Sequence, residues 1–351
     1  MNPPLVNIGR KKVGPGQPCF VIAEMSGNHG GSLERALQIV RAASKAGANA
    51  LKMQTYTADT ITLDLNIEDF QLKLGPWKSH KRLWDLYHTA HTPWEWHLPV
   101  FTEARRLGME VFSSPFDESA VDFLESLDAC AYKIASPEIN HIPLLRRVAR
   151  TGKPVILSTG LARLADIELA LETLRNAGAQ EIILLKCTTA YPAPVEETDL
   201  RTIPDMAQRF CLLSGLSDHS IGTAVAVAAV ALGANVIEKH FTLDDEEDTV
   251  DSFFSLNQNE FKRLVDDIRI AEVALGRVSY EIAPSAQGNL RGMRSLYVSA
   301  PIRAGETLNP NNIRCVRPSM GLHPKYYESI LGRRSKRDLI PGERLLLEDL
   351  E

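Results

Sequence analysis

The chain has 351 residues, 44% of them hydrophobic, which is enough for one large core or two smaller ones. Its 39 basic and 44 acidic side chains leave a formal net charge of −5, which excludes a general attraction for nucleic acid or anionic membranes. An anionic substrate would have to be met by locally gathered positive charge.

The N-terminus, MNPPLVNIGRKK, lacks the apolar core of a signal peptide. The longest apolar run, AVAVAAVALGANVI (224–237), contains Gly and Asn and falls short of the roughly 20 residues that span a bilayer. Five cysteines (Cys19, Cys130, Cys187, Cys211 and Cys315), odd in number and without a CxxC pair, predict reduced thiols, mostly buried as packing groups. A soluble cytoplasmic protein is expected.

In chain order, short β-type runs alternate with amphipathic helical stretches up to about residue 278. The runs are FVIAE (20–24), NALKMQ (49–54), EVFSS (110–114), AYKIAS (131–136), PVILST (154–159), EIILLKC (181–187), LLSGLSDH (212–219) and NVIEKH (235–240). The first helical stretch, SLERALQIVRAASKAG (32–47), has Ser32 as an N-cap and Gly47 as a stop. Another, EFKRLVDDIRIAEVALG (260–276), follows the last run. Eight βα units predict an α/β fold of the (β/α)8 TIM-barrel type. A doubly wound open sheet is the alternative, weakened because no GxGxxG follows the first run. Residues 55–92 are too long for a plain βα connection and predict a lid or substrate wall, against a surface decoration.

The pattern changes near EIAPSAQGNLRG (281–292). Beyond it, the similar pieces IRAGETL (302–308) and LIPGERL (339–345) each place a Gly before a Glu, as in a turn. The expected organisation is a barrel over 1–280, a linker over 281–291 and a small β-rich domain over 292–351.

AGANALKMQ (46–54) echoes LGANVIEKH (232–240). Strand side chains alternate faces, so Lys52 shares a face with Gln54, Glu238 with His240, and Ser217 with His219. Polar groups at the C-terminal ends of barrel strands read as functional. Three constellations follow. His219 and His240 supply two imidazoles for a divalent metal, with packed core histidines as the alternative; the absence of a cysteine cluster or HExxH argues against structural zinc. Glu24, Glu138, Glu238 and Asp251 are candidate acids or bases. Lys52 and Lys133, with Ser114, Ser136, Ser158, Thr189 and Ser217, suit a phosphate and carboxylate cradle; one lysine acting through a Schiff base is the alternative.

AEMSGNHGG, LKMQTY, FSSPFD, YKIASPE, ILSTG, KCTTAYPAP, GLSDHS and IEKHF, in that order, resemble the sialic acid synthase family, and the C-terminal stretch resembles its antifreeze-like (SAF) domain. TYTADTITLD, LYHTAHTPWEWH, KIASPEI and RPSMGLHPKYYESILG look most like the pseudaminate-forming branch; the N-acetylneuraminate and legionaminate branches are close neighbours. The resemblance implies condensation of phosphoenolpyruvate with 2,4-diacetamido-2,4,6-trideoxy-L-altrose. It implies His219 and His240 as ligands of a divalent metal, typically Mn2+ with Mg2+ or Co2+ as substitutes. Lys52, Ser114, Lys133, Ser136, Ser158, Thr189 and Ser217 would hold phosphoenolpyruvate. Gln54, Phe116, Glu138, Tyr191 and Asp251 would line the sugar site, with Glu24 and Glu238 nearby and Glu24 managing protons. Arg317 matches an arginine that reaches the sugar's N-acetyl group across a domain-swapped homodimer. The rival of another class is a non-catalytic sugar-binding barrel with a SAF module. Two departures stand out: DDEEDTVDSFFSL (244–256) lacks the turn glycines that usually surround the aspartate matching Asp251, and RPSMG lacks a second Gly after Pro.

Overall fold

The computed structural model of the chain describes residues 5–73, 75–243 and 248–351. Two compact units divide it, Met1–Gly276 and Arg277–Glu351.

The first unit opens with an antiparallel hairpin, β1 (Val6–Ile8) and β2 (Lys11–Val13). Eight parallel strands then close into a barrel: β3 (Phe20–Glu24), β4 (Ala50–Thr55), β5 (Glu110–Pro115), β6 (Tyr132–Ile134), β7 (Val155–Ser158), β8 (Ile182–Cys187), β9 (Leu213–Asp218) and β10 (Val236–His240). Each predicted run forms its strand with bounds shifted by at most two residues; β4 and β5 each run one residue further than predicted. Closure is made by β10 pairing with β3, His240 lying opposite Glu24, so the open-sheet alternative falls.

The helix Leu33–Lys45 shows why these segments sit where they do. Ser32 Oγ accepts from Arg35 N at 3.3 Å, and Gly47, at φ +88°, ends the turn in a conformation that disfavours a side chain. Ala36, Ile39, Val40 and Ala43 fall on one face and bury against the outward residues of the barrel, among them Val21, Leu51 and Met53.

The inward residues form a second core at the N-terminal end: Phe20, Ile22, Phe112, Ile156, Ile183, Leu185, Leu213 and Val236, with Val6, Ile8 and Val13 of the hairpin. The hairpin therefore plugs the bottom of the barrel. Moving up each strand by two, the inward positions change from apolar to polar. Ile22 gives way to Glu24, Ala50 to Lys52 and Gln54, Phe112 to Ser114, Ile156 to Ser158, and Val236 to Glu238 and His240. The core fixes the strands below, and the chemistry collects above.

The second unit has its own core, Leu296, Val298, Ile302, Leu308, Ile313, Ile330, Leu339, Leu345 and Leu350. Strands β11 (Ser295–Val298) and β12 (Ile313–Val316) pair antiparallel. The two Gly-Glu pieces meet through Ile302 and Leu339, and Gly305 and Gly342 hold φ of +81° and +92° at their turns. A 3-10 stretch, Pro284–Gly292, occupies most of the segment read from sequence as a linker.

Candidate active site

Glu238, on β10, is the hub of a buried charge network. Its Oε1 lies 3.2 Å from Lys133 Nζ, 3.3 Å from Lys52 Nζ and 3.3 Å from Ser217 Oγ. Lys52 reaches across to Glu24 Oε2 at 3.0 Å and donates to Ser114 Oγ at 3.2 Å. Burial disfavours the charge on Glu238, but the ammonium groups of Lys133 and Lys52 outweigh it and keep the carboxylate ionised. Burial raises Glu24, with Lys52 opposing and Glu238 reinforcing, which favours the protonated acid. Burial pulls down Lys52 too, yet the two glutamates outweigh it and keep this ammonium charged. Burial lowers Lys133 in spite of Glu238. The four groups thus balance near neutrality with protons to rearrange when a further anion enters.

Beside them, Ser136 Oγ accepts from Gly160 N at 3.0 Å. A Cβ on Gly160 would come within 2.2 Å of Thr189 Oγ1, 2.9 Å of Ser136 Oγ and 3.0 Å of Cys187 Sγ. Glycine is needed here for close approach, and it leaves a backbone N–H among three polar side chains.

The two histidines do face one another, their ring centroids 5.4 Å apart. His219 lies one residue past the end of β9; its Nδ1 is 3.0 Å from the Thr188 carbonyl, which fixes that nitrogen as a donor and leaves Nε2 with its lone pair. Its Nδ1 also lies 3.9 Å from Cys187 Sγ. Burial lowers His219, but the Cys187 sulfur and the Thr188 carbonyl outweigh it and raise the imidazole above its ordinary value. Burial would raise the Cys187 thiol; its contact with His219 dominates and brings it down to about 7. His240 is held neutral by burial and by the positive charge of its neighbours, and its Nδ1 is buried with no hydrogen-bond partner. Among the described residues no group of three or more His, Cys, Asp or Glu is arranged to cage a metal. The donor set fits an open site with two imidazole ligands rather than a closed structural one.

Of the residues expected to line the sugar site, Tyr191 and Asp251 lie beside the imidazoles, Asp251 Oδ2 3.8 Å from His240 Nδ1. The Tyr191 ring lies 4.5 Å from that of His219 and 5.2 Å from that of Phe254, tilted to both. Asp251 Oδ2 accepts from Ser26 Oγ at 2.5 Å, while Gln54 Nε2 donates to Glu24 Oε1 at 2.9 Å and Ser26 Oγ at 3.1 Å. Burial raises Asp251 to about 6, with Ser26 opposing, and Glu138 to about 7. Phe116 packs on Tyr56 at 4.9 Å. Residues 244–247 of the glycine-poor stretch lie outside the described residues. The part that follows is well anchored: Thr249 Oγ1 donates to Asn28 Oδ1 at 2.7 Å, and Asn28 Nδ2 donates to the Phe241 carbonyl at 2.9 Å.

The predicted barrel residues therefore meet at one mouth. Arg317, exposed at the end of β12, belongs to the second unit. The sequence reading missed Ser26, Trp77, Gly160 and Cys187. Ser26 holds an unusual φ of +47°, the kind of strain found at functional sites, and only its place inside AEMSGNHGG hinted at it. Cys187 corrects the expectation of packing thiols, since it touches the site, and Cys211 is exposed.

Buried ammonium groups, hydroxyl donors and paired imidazoles on the inward face of a (β/α)8 barrel would be idle in a packing role; here they define an enzyme site built for an anionic substrate. Residues 39–280 match the NeuB family and residues 293–351 the SAF domain, and the chain belongs to the NeuB family. It is 46% identical to a pseudaminic acid synthase of Campylobacter jejuni, across 94% of this chain and 96% of that one. It is 40% identical to the pseudaminic acid synthase of Helicobacter pylori, across 95% and 98%. Among solved structures, an N-acetylneuraminic acid synthetase from Leptospira borgpetersenii superposes with a TM-score of 0.71 at 31% identity, across 82% of this chain and 95% of that one.

Proposed function

We propose that this chain condenses phosphoenolpyruvate with 2,4-diacetamido-2,4,6-trideoxy-L-altrose to give pseudaminic acid and phosphate. The observation that carries the reading is the pair of buried lysines, Lys52 and Lys133, gathered with hydroxyl groups beside two imidazoles in a chain 46% identical to a pseudaminic acid synthase.

Phosphoenolpyruvate brings a carboxylate and a phosphate. Lys52 and Lys133 neutralise them, taking up charge now shared with Glu238, and Ser114, Ser136, Ser158, Thr189 and Ser217 donate hydrogen bonds, the Gly160 N–H holding the Ser136 hydroxyl in place. Ser158 Oγ is buried without a partner, as a donor reserved for a ligand would be. Gln54, Phe116, Glu138, Tyr191 and Asp251 orient the sugar so that its aldehyde carbon faces C3 of phosphoenolpyruvate. C3 attacks that carbon, water adds at C2, and the resulting tetrahedral centre expels phosphate with cleavage of the C–O bond. Glu24, inclined to hold its proton, manages the proton balance of the aldehyde oxygen and the water. His219 and His240 would hold a divalent cation, with Mn2+ the ion proposed. Bound there, it would lend Lewis acidity to the sugar's carbonyl oxygen.

The site is proposed to be completed in a domain-swapped homodimer, Arg317 of one copy serving the barrel of the other. The free thiols, and the absence among the described residues of any helix able to cross a membrane, support a cytoplasmic setting.

The test is phosphate release by chelator-stripped protein given phosphoenolpyruvate, with and without Mn2+. Parallel samples would hold the altrose, its legionaminate-pathway counterpart and N-acetylmannosamine. Mn2+-dependent release with the altrose alone is expected; release with another sugar keeps the chemistry and moves the specificity. The lowered pKa of Lys133 favours one second reading, a Schiff-base aldolase. Borohydride trapping of pyruvate on Lys133, with activity indifferent to chelation, would establish it instead.

A further inference from the structure

The long segment after β4 sends Trp77 into the active-site wall from far away in sequence. Trp77 is half-buried, and its indole Nε1 donates to the Val250 carbonyl at 2.9 Å, next to Asp251. Its ring lies 5.1 Å from that of Tyr191, tilted by 58°, and Tyr191 in turn packs against His219, its ring centroid 4.5 Å away. The stretch that carries it, GPWKSHKR (75–82), is otherwise polar, so the indole is the apolar group this segment contributes. A tryptophan needed only to staple a loop would be expected to bury itself among core side chains. This one is laid along the wall that holds Asp251 and Tyr191.

We propose that Trp77 is a specificity-determining residue that selects sugars with an apolar end, C6 as a methyl rather than a hydroxymethyl group. The inference rests on the functional reading above. Trp77 and Tyr191 together present aromatic surface, which gains from burying a methyl group and offers a 6-hydroxyl only the desolvation of its hydrogen bonds. One such group in an apolar pocket is worth about tenfold or more in kcat/KM.

The experiment compares wild type, Trp77→Ala and Trp77→Phe on two substrates: the 2,4-diacetamido-2,4,6-trideoxy sugar and the same sugar carrying a 6-hydroxyl. The KM for phosphoenolpyruvate is measured alongside. Trp77→Ala is expected to lower kcat/KM for the deoxy sugar by about tenfold, mainly through KM. The preference over the 6-hydroxyl sugar should narrow by a similar factor, with the phosphoenolpyruvate KM unmoved. Trp77→Phe, which keeps a ring but loses the hydrogen bond to Val250, is expected to hold most of the preference. Equal losses on both sugars, or a phosphoenolpyruvate KM that rises by the same factor, would show a loop staple and overturn the inference while leaving the proposed function standing. No turnover of either sugar by wild type would remove the functional reading, and this inference with it.

Discussion

Gly160 has three polar side chains where its own would be. Any Cβ would meet Thr189 Oγ1 at 2.2 Å, so Gly160→Ala must push Thr189, Ser136 and Cys187 outward. Overpacking of this kind costs about 1–3 kcal/mol, and here it falls on the groups proposed to hold phosphoenolpyruvate. The expected outcome is a folded protein whose KM for phosphoenolpyruvate rises about tenfold or more, read by steady-state kinetics; an unchanged KM would place the phosphate elsewhere. Glu138 gives a residue-scale prediction of another kind. Burial raises its carboxyl from 4.5 to about 7. Between those values the folded chain keeps a proton that the unfolded chain has lost, so stability falls as pH rises from 4.5 to 7 and levels off above. Thermal unfolding at pH 5 and pH 7.5 should show wild type losing more stability on that shift than Glu138→Gln. Identical losses would mean that the carboxyl titrates in its ordinary range.

At the scale of the strand, β9 and β10 carry imidazoles on or just beyond their inward ends and a buried ion pair on their outward faces. Lys239 Nζ lies 2.7 Å from Asp218 Oδ2 and 2.6 Å from the Ser220 carbonyl, while Asp218 Oδ1 accepts from Ser220 N at 2.9 Å and Ser220 Oγ at 2.6 Å. The pair ties the two strand ends together directly behind His219 and His240. Lys239→Met leaves Asp218 buried and uncompensated, which should cost about 3–5 kcal/mol, measured by denaturant unfolding. Asp218→Asn combined with Lys239→Met should cost less than the sum of the single changes, and strict additivity would deny the coupling. The same alternation explains what was legible beforehand. Once β4 and β10 are strands, Lys52 must accompany Gln54, and Glu238 must accompany His240. Ser26 meeting Asp251, 225 positions away, and Trp77 meeting Val250, 173 positions away, obey no local period. They depend on how the barrel closes and how its longest loop folds back. The hairpin of β1 and β2 was equally hidden, because VNI and KKV are too short to show a pattern until the barrel floor exists to cover.

For the whole molecule, the proposed pairing of copies makes a demand that no single-chain property can meet. Each barrel has its own Lys52, Lys133, His219 and His240, whereas Arg317 sits in the second compact unit and is proposed to serve the partner's sugar. Suppose His219→Ala and Arg317→Ala are each inactive. In a mixed dimer, the barrel of the Arg317→Ala chain keeps its histidine and receives an intact arginine from the His219→Ala chain, while the other barrel lacks both. After subunits exchange at random, half the dimers are mixed and each has one complete site. Mixing the two inactive proteins should therefore restore about a quarter of wild-type activity, provided light scattering shows a dimer. A site completed within one chain predicts no recovery at all, since neither chain then holds both residues. The result separates the two architectures by a rate against a blank rather than by a difference between similar numbers.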